Sequence, residues 1–247
     1  MDVRKIEKRL NGTPLYPFAR KSYLTYLSTK GHINSVRLTG SFFDQSGFYH
    51  VIPSESRIDP FYIWLPDAKS GYRRKCIKGT LEEPVLSKIA DIIEDDDTFW
   101  DIGANRGYFS FACANTVEKV VAFEADERSV EITKRGKKKN DFDNVDIISG
   151  YVGEDVMLDS FRPPDLALLD TEGWEYKILN TAQNTLKSDT TWIVEIHPTS
   201  EATDGGTPLP PEINPEGVLE LFNENGYDVS TIAEYGRGRK HIIAEKS

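Results

Sequence analysis

The chain has 247 residues, of which 38% are hydrophobic, and its 30 Lys and Arg against 40 Asp and Glu give a formal net charge of −10. This length and composition suffice for one large α/β domain with a sizeable core. The negative charge argues against a polyanion such as duplex DNA as the partner. No apolar run reaches the length of a membrane span, and the charged N-terminus is unlike a signal peptide, so we expect a soluble, cytoplasmic protein.

The N-terminal third is predicted to be a separate unit, residues 1–79, with a helix followed by a β-rich cap. Its first 30 residues show helical spacing of apolar side chains, whereas short aromatic runs at residues 42–43, 48–51 and 61–64 are typical of strands. Residues 71–75 are basic and are interpreted as a surface turn, with Cys76 in the same loop. Cys76 and Cys113 are the only cysteines; they lack metal-ligand spacing, and a disulfide is not expected.

A second unit, residues 80–247, is predicted to begin with a helix. Thr80, Leu81, Glu82 and Glu83 match a capping box, and Pro84 suits a first helical turn. Apolar residues then recur at helical spacing up to residue 93, directly before a buried strand.

The central motif is the stretch Asp-Ile-Gly-Ala-Asn-Arg-Gly at residues 101–107, which follows this strand and opens a helix. Gly103 and Gly107 allow a tight turn and a close approach of the backbone to a ligand. The dinucleotide fingerprint requires three glycines, and Asn105 occupies the middle position. Asp101 would also repel a pyrophosphate, whereas it suits a ligand that carries an amino group or a sulfonium.

The second strand of this unit ends at Glu124, twenty-one residues after Gly103, where an acid can accept both hydroxyls of a ribose. The third strand neighbours the second in such sheets, so the loop after it is expected beside the adenine. Together these features predict S-adenosylmethionine as the cofactor. The predicted cofactor-binding residues are Asp101, Gly103, Asn105, Gly107, Tyr108, Glu124, Ala125, Gly150 and Tyr151.

Four polar residues at the ends of the fourth and fifth strands are predicted to be catalytic: Asp170, Glu172, Glu195 and His197. His197 is the first candidate for a general base, with Glu195 or Asp170 to orient it; Asp170 itself is the alternative base. A purely structural pairing of Glu195 with His197 is the competing interpretation. The same four side chains would also offer ligands to Mg²⁺ or Mn²⁺, although no tight ligand spacing identifies a metal site.

The remaining segments are assigned more simply. Residues 199–215 are predicted to form a lid, residue 214 to cap a helix, and residues 228–235 and 240–244 to form a final antiparallel hairpin. Basic residues at 134–139 fit a solvated helix end, with RNA binding as the alternative, together with Arg73 and Arg74.

The ordered motifs Asp-Ile-Gly-Ala-Asn-x-Gly-Tyr-Phe-Ser, Phe-Glu-Ala, Leu-Asp-Thr-Glu-Gly-Trp-Glu and Glu-Ile-His resemble those of the FkbM-type methyltransferases. The resemblance covers residues from about Leu81 to the C-terminus. It implies an α/β class I methyltransferase fold (Rossmann-like), with a mostly parallel sheet, that uses S-adenosylmethionine to methylate a hydroxyl oxygen.

The chain is therefore expected to methylate a hydroxyl on a small-molecule or glycan acceptor: a sugar, a glycolipid or a small metabolite. The fourth strand is not followed by the Asn-Pro-Pro-aromatic motif of amino-group methyltransferases, which favours oxygen over nitrogen. An RNA methyltransferase and a module that binds S-adenosylmethionine without turnover are the alternatives.

Overall fold

The computed structural model describes residues 47–198 and 214–247. The predicted N-terminal helix, the short aromatic run at residues 42–43 and most of the predicted lid therefore lie outside the described residues.

From residue 98 onwards, α-helices lie on four of the six connections between consecutive described strands. The strands are β1 (Phe48–Val51), β2 (Phe61–Trp64), β3 (Thr98–Ile102), β4 (Lys119–Glu124), β5 (Val145–Ser149), β6 (Leu166–Leu169), β7 (Thr191–Ile196), β8 (Tyr227–Glu234) and β9 (Lys240–Lys246). The α-helices are α1 (Ser70–Lys78), α2 (Glu83–Ile92), α3 (Tyr108–Cys113), α4 (Glu127–Asn140), α5 (Glu175–Asn180), α6 (Gln183–Lys187) and α7 (Pro215–Glu224).

Seven strands form one sheet in the order β5-β4-β3-β6-β7-β9-β8, in which the first five are parallel and β9 is antiparallel to both of its neighbours. The mostly parallel sheet and the C-terminal antiparallel hairpin are thus confirmed. The strand order reverses between β3 and β6. A crevice is expected at the carboxyl ends of these two strands, because their connections leave in opposite directions.

Side chains alternate along the strands and place a hydrophobic core on each face of the sheet. Phe99 and Leu168 belong to one core, which contains residues of α2 and α3. Trp100 and Leu169 belong to the other, which contains residues of α5, α6 and α7. Because Asp101 shares the face of Phe99, it points toward α3 rather than into solvent.

Strands β1 and β2 pair as an antiparallel hairpin that packs against the first of these cores. The side-chain amide of Asn140 accepts a hydrogen bond from the Tyr62 N–H and donates one to the Tyr62 carbonyl, both at 2.7 Å. The Phe61 ring lies 5.4 Å from that of Tyr108. Both contacts join residues on the two sides of the boundary predicted between residues 79 and 80. The division into two units stays a prediction.

The predicted basic turn at residues 71–75 is wrong, since helix α1 covers it. Cys76 is buried four residues after Tyr72, which also packs against the core, so one helix face is apolar despite the exposed bases. Gly79, in the left-handed region with φ 68°, ends the helix and donates its N–H to the Cys76 carbonyl.

The predicted capping box is also wrong, because α2 begins at Glu83 rather than at residue 80. Its N-cap is Glu82, which has φ 43° and makes no side-chain cap hydrogen bond. Pro84 does occupy the first turn, as predicted. After Asp170 the chain forms two short helices, α5 and α6.

The predicted helix cap at residue 214 and the predicted final hairpin are confirmed. Asn214 caps α7 by accepting a hydrogen bond from the Gly217 N–H at 2.9 Å, and β8 and β9 form the final hairpin. In the part of the chain that the structure describes, we find no helix with the length and apolarity that crossing a bilayer requires.

Candidate active site

A pocket of about 460 Å³ opens at the carboxyl ends of the parallel strands, where the strand order reverses. It is large enough for a nucleoside-sized ligand. The pocket brings together most of the residues predicted from the sequence, namely Asp101, Gly103, Asn105, Tyr108, Glu124, Ala125, Gly150, Tyr151, Asp170 and Glu172. Gly107, Glu195 and His197 do not line it.

The glycine turn after β3 forms the floor of the pocket. The N–H groups of Gly103 and Ala104 donate to the Phe123 carbonyl at 3.0 and 2.9 Å, which holds the turn against β4. Gly107 is the N-cap of α3, and an added β-carbon there would lie 2.8 Å from the Thr133 side chain. Gly107 therefore serves packing between α3 and α4, one layer behind the pocket.

Asp101 is almost fully buried at the end of β3. One of its oxygens accepts hydrogen bonds from the Ser110 N–H, at 2.8 Å, and from the Ser110 hydroxyl. Burial raises the pKa of Asp101 to about 6, although the bonds from Ser110 oppose the shift. A cationic ligand group beside this carboxylate would relieve the cost of its buried charge.

Glu124 is fixed by the main chain on the opposite side of the turn. Its two oxygens accept hydrogen bonds from the N–H groups of Asn105, at 2.6 Å, and Asp126, at 2.8 Å. The pKa of Glu124 is raised, mainly by burial. The ring of Tyr151 is 55% exposed at the edge of the same pocket, where a flat aromatic ligand can stack on it.

The loop after β6 forms the other end of the pocket, and Glu175 organises it. One Glu175 oxygen accepts hydrogen bonds from the N–H groups of Gly173, at 2.9 Å, and Thr171, at 3.1 Å. Glu172 takes the left-handed conformation, with φ 55°. Asp170 has a buried oxygen with no hydrogen-bond partner among the described residues, and burial and the nearby Glu195 raise its pKa well above its usual range.

His197 lies behind this loop, between three carboxylates. Its Nδ1 is 3.2 Å from a Glu175 oxygen, and its Nε2 is 3.3 Å from Glu195 and 3.6 Å from Glu172. Burial alone would lower the pKa of His197, but these acids raise it to about 12. Burial would raise the pKa of Glu195, but His197 and Asp170 lower it to about 2. The predicted approach of Glu195 to His197 is present, with the imidazole as a buried cation.

The polar residues at or beside the pocket that were not predicted include Glu82, Glu175 and His241. Glu82 lines the pocket, and burial together with Glu195 raises its pKa to about 7. His241 faces Glu195 across the β7–β9 register, and burial lowers its pKa to about 4. Glu175 could have been found as the last residue of the Leu-Asp-Thr-Glu-Gly-Trp-Glu motif. Glu82 was assigned to the capping box instead.

The basic end of α4 contacts the N-terminal hairpin. The Arg135 guanidinium lies 4.4 Å from the centre of the Trp64 ring, and the Lys139 ammonium lies 5.0 Å from that of Tyr62. These cation–π contacts give both bases a packing role.

Comparison with protein families finds that the methyltransferase FkbM domain matches residues 153–229. An uncharacterized protein of Methanocaldococcus jannaschii is 32% identical over 62 residues, which are 25% of this chain and 24% of that protein. The chain thus aligns with about a quarter of the length of this curated relative.

Among solved structures, a precorrin-6y C5,15-methyltransferase from Geobacter metallireducens has a TM-score of 0.52 and 20% identity, with 76% of this chain and 93% of that chain covered. TYW2 of M. jannaschii, solved in complex with AdoMet, has a TM-score of 0.50 and 16% identity, with coverages of 83% and 89%. The putative methyltransferase yhhF from Escherichia coli has a TM-score of 0.53 and 12% identity, with coverages of 80% and 99%.

At these identities the solved structures establish the fold, and the family match adds the FkbM domain to it. The chain therefore has the class I methyltransferase fold, and its residues 153–229 match the FkbM methyltransferase domain.

Proposed function

We propose that the pocket binds S-adenosylmethionine and that the protein transfers its methyl group to a hydroxyl oxygen. The observation that carries the proposal is the pair of acids around the glycine turn. Asp101 and Glu124 both line the pocket, on either side of Gly103. Two carboxylates oppose a pyrophosphate there but suit a ligand with a cationic end and a ribose.

Each part of the cofactor has a matching group in the chain. Asp101 would hold the cationic methionine end, and Glu124 would accept the ribose hydroxyls. Gly150 and Tyr151 border the space for the adenine. An added β-carbon at Gly103 would lie 1.8 Å from the Asp170 carbonyl oxygen, so glycine lets the turn after β3 pack directly against the turn after β6.

The loop after β6 would hold the acceptor. S-adenosylmethionine, when bound, supplies an electrophilic methyl group, so the protein has to align the hydroxyl and remove its proton. Asp170 lines the pocket with a buried oxygen that lacks a hydrogen-bond partner among the described residues, and we assign it as the acceptor of that proton. His197 lies outside the pocket lining, so its role is to position Glu172 and Glu195.

The acceptor class follows from the residues after β6. This strand is followed by Asp-Thr-Glu-Gly, whose side chains offer carboxylates to a hydroxyl. We therefore propose a hydroxyl on a sugar, a glycolipid or a small metabolite as the acceptor. An RNA acceptor has weaker support, because two of the bases expected to bind it pack on the hairpin.

The Mg²⁺ or Mn²⁺ site expected from the sequence fits less well. The ligand atoms of Asp170, Glu172 and His197 do lie within 4.8 Å of one another. However, carboxylates already lie beside both ring nitrogens of His197, at 3.2 and 3.3 Å, and would compete with an ion for them. We assign no step of the reaction to an ion held by these three residues.

Calorimetric titration tests the cofactor: S-adenosylmethionine is expected to bind and NAD is not. Binding of NAD alone would refute the proposal. Transfer of a labelled methyl group to a panel of glycosides and small alcohols then tests the reaction. Asp170→Asn should keep the affinity for S-adenosylmethionine and lose transfer by about 100-fold or more. Asp146→Asn, at an exposed surface pair with Lys119, is the matched control and should keep both.

A further inference from the structure

Three residues form a second cluster of ligand-type atoms beside the pocket: Glu82 at the N-cap of α2, Glu195 on β7 and His241 on β9. One ligand atom from each lies within 4.8 Å of the other two. Glu195 and His241 are register partners on adjacent antiparallel strands, so the sheet itself fixes their spacing. Glu82 reaches them from a different element, and its oxygen lies 3.6 Å from the His241 Nε2.

His241 is fully buried, yet neither of its ring nitrogens has a hydrogen-bond partner in the described part of the chain. One oxygen of Glu195, which is 2% exposed, likewise lacks a hydrogen bond within the described ranges. Polar atoms buried in this way cost free energy unless a ligand satisfies them. The unsatisfied atoms of these two side chains lie in the same cluster.

The surrounding charge is also unbalanced. Arg239, whose Nη1 is 3.6 Å from Glu195, and the His197 cation are the positive groups in contact with Glu195. The carboxylates in and around the cluster are Glu82, Asp170, Glu172, Glu175 and Glu195. The carboxylates outnumber the cations at this end of the pocket, and a dication would reduce their mutual repulsion.

We propose that Glu82, Glu195 and His241 bind a divalent transition-metal ion. Ligand atoms about 2.1 Å from one ion lie about 3–4 Å apart, so a small closure of this cluster completes the site. An imidazole with two carboxylates suits Mn²⁺ or Zn²⁺, whereas Mg²⁺ prefers oxygen alone.

The position of the ion suggests its use. Because Glu82 also lines the pocket, the ion would lie at the end that Asp170 and Glu172 occupy. There it would bind the acceptor oxygen and lower the pKa of its hydroxyl. This use depends on the proposed methyl transfer, whereas binding of the ion does not.

Titration of the metal-free protein with MnCl₂ and ZnCl₂, without S-adenosylmethionine, tests the site. Calorimetry and the electron paramagnetic resonance signal of free Mn²⁺ are expected to show one saturable site. Glu82→Gln and His241→Gln should each weaken binding at least roughly tenfold. Glu83→Gln, an exposed neighbour of Glu82, and His50→Gln, on the N-terminal hairpin, should bind as the wild type does.

Several results would overturn the proposal: no saturable binding, equal binding by Glu82→Gln and the wild type, or an equal loss in Glu83→Gln. A loss in Glu172→Gln with full binding by Glu82→Gln would move the ion to the other cluster and would also refute it. Circular dichroism checks that His241→Gln folds. If this variant is unfolded, the affinity of Glu82→Gln for the metal decides the test. Calorimetry with S-adenosylmethionine is run separately, so failure of cofactor binding is distinguished from failure of the metal site.

Discussion

The main-chain carbonyl oxygen of Asp170 closes directly against Gly103, where an added β-carbon would come within 1.8 Å of it. This contact joins the turn after β3 to the turn after β6, the two turns that flank the reversal of strand order. Gly103 also has φ 88°, in the left-handed region. Only glycine satisfies both demands, so one backbone contact sets the distance between the turn after β3 and the loop after β6.

We therefore expect Gly103→Ala to abolish binding of S-adenosylmethionine and to lower the free energy of unfolding by about 2 kcal/mol or more, because main chain would have to move. Calorimetry and urea denaturation measure the two effects. Gly71→Ala is the control, since nothing lies within 4 Å of its added β-carbon. Similar affinity in the two variants would contradict this account of the turn.

Asp101 predicts a pH dependence of stability. Its pKa in the folded protein is about 6, against 3.8 as the ordinary value, so the folded state binds the proton more tightly than the unfolded state. The sign follows from linkage: stability from this proton is present below about pH 4 and is lost as the pH rises through about 6. The shift corresponds to about 3 kcal/mol.

The comparison that isolates this effect is the wild type against Asp101→Asn. Relative to the variant, the wild type should lose about 2 kcal/mol of unfolding free energy between pH 4 and pH 7, because other groups titrate alike in both. Denaturation at a series of pH values measures the difference. A difference that stays constant across this range would show that the charge of Asp101 is not penalised in the fold.

Much of the fold and of the cofactor end of the site was predictable from sequence, because those features are encoded locally. Asp101 and Glu124 each follow an apolar strand directly, and parallel strands bring their carboxyl ends to one edge. The glycine spacing around Asn105 excluded the dinucleotide pattern. These patterns lie within short segments, so they can be recognised without knowing which distant segments are in contact.

The features that were missed depend on contacts between distant segments. His241 faces Glu195 only through the register of β7 and β9, which no local pattern specifies. Glu82 reaches the pocket because its backbone is left-handed, whereas the surrounding letters match a capping box. Tyr72 and Cys76 form the buried face of α1. Their helical spacing was overlooked because the residues between them are basic.

We expect a substitution of Glu124 to weaken recognition of the ribose of the cofactor. Glu124→Gln is expected to weaken binding of S-adenosylmethionine at least roughly tenfold, because an amide cannot replace a carboxylate that accepts from hydroxyls and main chain. The loss should be much smaller for a 2′-deoxyribose analogue of the cofactor. Calorimetry with the wild type and the variant measures the affinity for both ligands, and the difference between the two losses reports the contact of Glu124 with the ribose hydroxyl.

Glu127→Gln is the matched control for this experiment, since Glu127 is exposed in the first turn of α4. It should bind both ligands as the wild type does. If Glu124→Gln loses the same factor for both ligands, its carboxylate supports the turn at Asn105 rather than the ribose.

Removing the charge of Glu175 is expected to destabilise the fold more than breaking an exposed ion pair does. It is 4% exposed and holds the Thr171 and Gly173 N–H groups as well as His197, so Glu175→Gln leaves a buried imidazolium short of one partner. We expect a loss of about 3 kcal/mol in unfolding free energy. Glu154→Gln, which breaks the more exposed pair with Lys177, should cost less than about 1 kcal/mol.

The same substitution should separate positioning from binding. The loop that Glu175 holds carries Glu172 and begins at Asp170, whereas Asp101 and Glu124 lie on other elements. Glu175→Gln should therefore lower kcat about tenfold or more while the Kd for S-adenosylmethionine stays within about threefold. A purely structural role would lower stability and leave kcat of the folded enzyme unchanged. Rescue of kcat by Glu175→Asp, which keeps the charge, would attribute the effect to the ion pair rather than to lost packing.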